Sequence, residues 1–284
     1  MNLIDMSEVS VVSSDDKSEH RVHRDDVAIL VASFDGYKDL WEPFFGCFFK
    51  YWPDCPYPVF LGSNAVTYHH KQIDSILVGS DQGYTSNLIA MLEQLDYPWI
   101  ILWVDDAFLS RPVDTARLKQ LIANAKAEQA ASLKLIASKS TRSVANPSST
   151  GIGEIPRGTP YRVSISLSLW QKRSLLDCLI PGLSAWQIEL NGTFKALQTS
   201  NKYFGVANVH REPVLDFVHG VIKGKWTPEA VEFLNNEGFA RHLGTRERLS
   251  WTSQVYIWLR NFVPDFVVNW WHQRQLQGKS TGVA

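Results

Sequence analysis

Trp99-Ile100-Ile101-Leu102-Trp103-Val104 runs directly into Asp105-Asp106, and this join decides the fold. An unbroken apolar run, entered from Pro98 and left through two carboxylates, predicts a strand buried on both faces that delivers an acidic pair to the edge of a sheet. Upstream, Val27 to Ser33 is a second such run, followed by a Phe34-Asp35-Gly36 turn. Leu40, Trp41, Phe44, Phe45, Phe48 and Trp52 then mark one face of a helix, which Pro53 stops. Pro58 to Gly62 and Ile73 to Val78 read as strands. Leu88, Ile89, Leu92 and Leu95 predict the next helix, with Thr85 or Ser86 as its cap. Downstream, Asp114 is expected to cap a helix reaching Ala131, followed by a strand from Leu133 to Ile136. Strands alternating with helices define an α/β class, with a mainly parallel central sheet and helices on both faces.

Beyond that point the pattern changes. Ser138 to Pro160 is a long Ser-, Thr-, Gly- and Pro-containing segment, and long loops in compact domains are commonly functional or disordered. Tyr161 to Leu169 alternates as a strand does, Lys172 to Leu179 reads as a short helix, and Val214 to Ile222 reads as a strand. Lys223 to Trp226 is a turn, and Thr227 caps a helix that Pro228 opens. From Arg246 to Gln275 the chain is aromatic-rich and predicts two helices broken at Pro264, a helical C-terminal appendage. The expected organisation is a polar lead-in over residues 1–25, the α/β domain over 26–240 and the aromatic tail over 241–284.

Bulk properties narrow the function classes. The 284 residues suit one large α/β domain, and a formal net charge of -1 gives no basic excess for nucleic acid. The three cysteines, Cys47, Cys55 and Cys178, cannot all pair and form no CxxC, as expected of thiols in a reducing compartment. The N-terminus lacks the basic-then-apolar layout of a signal peptide, and no apolar run reaches the ~18 residues of a membrane span. The expected location is therefore cytoplasmic. The tail adds a peripheral option at the inner face of the cell membrane. Trp251, Trp258, Trp270 and Trp271 beside Arg260 and Arg274 fit an interfacial anchor, and fit equally a helix packed on the domain.

Three clusters carry candidate chemistry, each with a plainer reading beside it. Asp105 and Asp106 follow a strand where open α/β sheets bind ligands, and a divalent cation would relieve their repulsion; two solvated turn residues would look the same. Trp186 and Glu189 are three apart on a helix, so a carboxylate beside an indole could serve as general base; a surface acid near a core Trp is the alternative. His219 to Trp226 places a candidate metal ligand before Lys223 and Lys225, two point charges suited to a diphosphate; a solvated turn is the alternative. Asp35 lies where a nucleotide's base or ribose would sit, yet Asp-Gly is also a common turn former. Tyr161 and Arg162 follow the long loop and suit either a phosphate or a structural role.

Taken together, the segments Val31 to Phe45, Tyr51 to Val59, Leu102 to Leu109, Trp186 to Glu189 and Val221 to Trp226 resemble a family of bacterial GT-A-fold glycosyltransferase-like proteins from surface-polysaccharide biosynthesis loci. The resemblance implies a Rossmann-like GT-A sheet and transfer of a sugar from a nucleotide-sugar donor to a glycan or lipid-linked acceptor. By the same resemblance Ser33, Asp35, Asp105, Lys223 and Lys225 would contact the donor. Asp106 and His219 would hold Mn2+ or Mg2+, and Glu189 would be the base of an inverting displacement. The family's Asp-x-Asp element is here Asp105-Asp106-Ala107. A catalytically silent binding or assembly protein is the alternative class. A sugar nucleotidyltransferase is disfavoured, because the loop after the first strand, Ser33 to Tyr37, is neither glycine-rich nor arginine-bearing.

Overall fold

A computed structural model describes residues 26–144 and 150–250. The expectations for residues 1–25 and for the tail beyond 250 lie outside the described residues. Three parallel units open the fold: β1 (Val27–Ala32) leads to α1 (Lys38–Tyr51), then β2 (Val59–Ser63) and β3 (Ile73–Leu77). α2 (Tyr84–Glu93) returns the chain to β4 (Trp99–Val104), and a two-residue turn leads to β5 (Ala107–Leu109). α3 (Thr115–Ala127) and β6 (Ser132–Lys134) follow, then β7 (Ile152–Glu154), β8 (Ser168–Gln171), α4 (Lys172–Cys178) and α5 (Ala185–Leu197). The described chain ends with β9 (Tyr203–Val206), β10 (Phe217–His219), β11 (Val221–Ile222), β12 (Lys225–Trp226) and α6 (Pro228–Asn236).

The main sheet has eight strands in the order β3-β2-β1-β4-β8-β6-β9-β7. β1 to β4 are mutually parallel, and β8 runs against both β4 and β6. β6 and β9 therefore point the same way as β4, and only β8 and the edge strand β7 oppose them. The sheet is mainly parallel, as expected. Alternate residues of its central strands feed two separate cores. Ile29, Val31, Ile101 and Trp103 pack with the apolar faces of α1, α3 and α6. Ala28, Leu30, Ile100 and Leu102 pack with those of α2, α4 and α5. Burial on both faces explains why β1 and β4 are apolar at every position.

Asp114 and Thr227 cap their helices as the sequence predicts, accepting from the Arg117 and Ala230 amides. Other expectations are corrected. The residue before α2 is Gly83, at φ 83°; Thr85 lies inside the helix, its hydroxyl donated to the Leu183 carbonyl. Of Tyr161 to Leu169, only Ser168 and Leu169 are strand, because Arg162 turns inward to bond the Ile155 carbonyl and Glu154 at 2.8 Å each. The run from Val214 to Ile222 is broken at Gly220 into β10 and β11, which belong to two small sheets. The segment from Ser138 to Pro160 is not a plain loop, since it contributes β7 to the sheet edge. Arg246 to Leu249 do not start a helix: they run beside β12, with the Trp226 and Leu249 amides exchanged against the Glu247 and Trp226 carbonyls.

Candidate functional site

The strand order reverses at β1: β2 and β3 lie on one side of it and β4 on the other. The carboxyl ends of β1 and β4 thus flank the crevice where open α/β sheets bind ligands. Ala32 is in register with Val104, so Ser33 and Asp105 are the next residues out, side by side. The Ser33 hydroxyl donates to Asp105 Oδ2 and accepts the indole N–H of Trp41 at 2.8 Å. Trp41 sits on the buried face of α1, so the helix stripe that builds the core also fixes the serine.

Asp106 is held through its backbone. β5 pairs antiparallel with β10, and the Gly220 amide donates to the Asp106 carbonyl at 2.6 Å. Gly220 permits this approach because it has no Cβ; one would stand 2.3 Å from the Phe108 ring and 3.0 Å from that same carbonyl. The pairing puts His219 opposite Ala107, with Nδ1 3.8 Å from Asp106 Oδ2. Thr227 locks the other flank, its hydroxyl donated to the His219 carbonyl at 2.6 Å. The lysine-bearing turn is the tip of the β11–β12 hairpin, with Lys223 and Gly224 both left-handed at φ 51° and 77°. Lys225 pairs with Glu247 at 2.7 Å, and Lys223 is exposed.

Burial raises the Asp105 carboxyl well above its ordinary range, and the neighbouring Asp106 charge pushes the same way, against the Ser33 hydrogen bond. Burial also raises Asp106, with His219 and Arg246 opposing. Arg246 grips Asp39 through two bonds of 2.6 and 2.8 Å, donates to the Gly36 carbonyl and lies over the Tyr37 ring. It brings a fixed positive charge to the acidic rim. Sequence reading missed it because its partner, Asp39, is 207 positions away.

Glu189 enters from α5. Its Oε1 accepts from the Ser164 hydroxyl at 3.0 Å and the Ile165 amide at 3.2 Å. Burial raises this carboxyl, and the buried Lys134 ammonium opposes the shift. Lys134 is itself pushed down to about 8 by burial, while donating to Ser140 and to the Tyr161 carbonyl. The expected Trp186–Glu189 pair does not share an environment: Trp186 is 61% exposed, whereas the glutamate turns inward. A residue absent from the sequence reading connects the parts. Tyr84, the first residue of α2, has its hydroxyl buried without a partner, and Glu189, Asp105 and Asp106 all act on it.

Asp35 sits at the start of the rim, but its carboxylate is occupied. It accepts from the amides of Asn64, Ala65 and Val66 at 3.0 to 3.2 Å and so fixes the turn after β2. The Asn64 side-chain NH2 beside it is buried without a partner. Cys47 and Cys178 are buried and Cys55 is half-buried, all as free thiols. Among the described residues no three His, Cys, Asp or Glu converge as a ready metal cluster, and no helix is long and apolar enough to cross a membrane. The rim does offer a carboxylate oxygen and an imidazole nitrogen 3.8 Å apart. Adjacent ligands of a six-coordinate Mg2+ at ~2.1 Å stand about 3 Å apart, so small side-chain rotations would let both reach one cation.

The site and sheet define an α/β protein with an acidic crevice at the switch point of a mainly parallel sheet. No protein-family model matches the chain, and no curated protein matches it. Solved structures with a similar arrangement are glycosyltransferases and nucleotidyltransferases. Residues 1–349 of S. aureus TarS align with a TM-score of 0.41 at 16% identity, over 64% of this chain and 60% of that one. The mannosyltransferase PcManGT from Pyrobaculum calidifontis, in complex with GDP-Man and Mn2+, aligns with a TM-score of 0.46 at 13% identity, over 70% and 58%. UTP-bound UGPase from Acinetobacter baumannii aligns with a TM-score of 0.44 at 9% identity, over 84% and 99%. The chain thus spans about 60% of the TarS fragment's length.

Proposed function

We propose that this protein is a glycosyltransferase that moves a sugar from a nucleotide-sugar donor to an acceptor hydroxyl, by inversion and with help from a divalent cation. The observation that carries the reading is the placement of Asp105 and Asp106 at the carboxyl end of β4, beside that of β1, with His219 Nδ1 3.8 Å from Asp106 Oδ2. The two acids of the β4 turn and the single acid of α5 come from different elements, as leaving-group stabilisation and proton removal require.

The nucleotide would lie over Ser33 and the turn that Asp35 fixes, where the free Asn64 amide offers a donor to a base carbonyl. Asp106 and His219 would hold Mn2+ or Mg2+, which supplies positive charge to the departing diphosphate. Asp105 stays behind them, keeping Ser33 oriented. Lys223 and Lys225 lie on the β11–β12 hairpin, which follows His219 and Gly220 in the chain, and would add charge at the diphosphate. Glu189 has both of its hydrogen bonds on Oε1, which leaves Oε2 to take the acceptor's proton as the acceptor oxygen bonds to the anomeric carbon and the bond to phosphate breaks. The acceptor is a glycan or a lipid-linked glycan, and a surface-polysaccharide role fits such a product.

The test is turnover. Incubation with UDP-, GDP-, CDP- and dTDP-sugars, Mn2+ and a mixed glycan acceptor pool should release one nucleoside diphosphate, with the acceptor gaining one sugar. Binding of a nucleotide sugar without any release would point instead to a silent binding protein.

A further inference from the structure

Among the described residues, four buried side-chain polar atoms have no hydrogen-bond partner, and Tyr84 Oη is the only oxygen of the four. Its position is well determined. Gly83, at φ 83°, turns the chain into α2, and Tyr84 packs partly against the core beneath that helix. The Thr85 hydroxyl bonds to the Leu183 carbonyl, so the start of α2 is tied to the start of α5, the helix that carries Glu189. A buried hydroxyl with no partner is a cost that phenylalanine would avoid. Burial, with the charges of Glu189, Asp105 and Asp106 pushing the same way, raises this phenol's pKa, so it keeps its proton and can donate to an incoming acceptor.

Resting on the glycosyltransferase reading above, we propose that the Tyr84 hydroxyl donates a hydrogen bond to a hydroxyl of the donor's sugar and thereby selects which sugar is transferred. In that reaction the diphosphate lies at Asp106 and the attacking hydroxyl at Glu189. The group between them is the pyranose, and Tyr84 stands at the start of α2, where the chain has left the carboxyl end of β3 and is tied to the start of the Glu189 helix. Its oxygen reads the sugar and not the nucleotide.

Tyr84→Phe removes only this oxygen. Calorimetric titrations with UDP, GDP, UDP-Glc, UDP-GlcNAc, UDP-Gal and GDP-Man, in Mn2+, separate the possibilities. The expected result has three parts: a melting temperature of the free protein equal to or above wild type, unchanged affinity for the cognate nucleoside diphosphate, and affinity for the matching nucleotide sugar reduced about five- to tenfold. Equal affinity of variant and wild type for that sugar nucleotide overturns the inference and leaves the transferase reading standing. An equal loss for the bare diphosphate, or a lowered melting temperature, also overturns it, since the hydroxyl then serves the diphosphate or the fold. A wild-type protein that binds none of the six ligands removes the transferase reading and this assignment with it.

Discussion

Glu189 is anchored through Oε1, which accepts from the Ser164 hydroxyl and the Ile165 amide. Its carboxyl is raised by burial, with Lys134 holding the shift in check. The folded protein therefore keeps a proton on Glu189 at pH values where the unfolded chain has lost it. Stability contributed by this site falls as pH rises through that window, and the cost is absent below the unfolded carboxyl's pKa of about 4.3. Glu189→Gln keeps the anchoring acceptor and removes the charge. It is expected to raise the melting temperature at pH 7 and 8, with the gain shrinking to nothing near pH 4, while transfer falls about 10^2- to 10^4-fold. Melting curves at several pH values and steady-state rates check both halves; a lower melting temperature at pH 7 would contradict the burial argument. At this scale the sequence was partly legible. Asp105, Asp106 and Glu189 were visible because carboxylates after an apolar strand or beside an indole attract notice. Tyr84, Asn64 and Arg246 were not, because their significance lies in a missing partner or in a contact across the fold.

The β4 turn and the β5–β10 pairing are the elements that aim the acids. Trp103 donates its indole N–H to the Ala107 carbonyl at 3.0 Å, bracing the turn from inside the core. Gly220 closes the other side against Asp106 and Phe108. Gly220→Ala forces a methyl into the Phe108 ring and the Asp106 carbonyl, overpacking that costs about 1–3 kcal/mol. Because the displaced strand carries His219, the variant is expected to need more Mn2+ for half-maximal rate as well as to melt earlier. Denaturant unfolding and a Mn2+ titration of activity measure the two effects; unchanged Mn2+ dependence in a destabilised variant would separate the strand from the metal. The long, fully buried elements, β1, β4 and α1, could be read directly from their patterns. β5, β7 and β9 are three or four residues each and carry no period long enough to register. Their pairing depends on partners far along the chain, as for Gly153 with Gly205.

At the scale of the described molecule, the main sheet has a core on each face and carries the Asp105–Asp106 pair at its carboxyl edge. Burying Asp105 and Asp106 works against folding, opposed by the Ser33 hydrogen bond at Asp105, by His219 at Asp106 and by Arg246 at both. A cation with a diphosphate would complete that balance. Such a ligand binds the folded state alone and stabilises it by mass action. The fold class followed from the alternation of strands and helices in the first half. The direction of β8, and the use of the later segments to complete the sheet, needed the three-dimensional pairing. The most direct test of the central claim is isothermal titration of UDP, GDP, CDP and dTDP, with and without Mn2+, into wild type and Asp106→Asn. The account expects one diphosphate to bind wild type only when Mn2+ is present, and binding to the variant to be at least about tenfold weaker, a difference of about 1.4 kcal/mol. No binding of any diphosphate to wild type, or equal binding to both proteins, would contradict it.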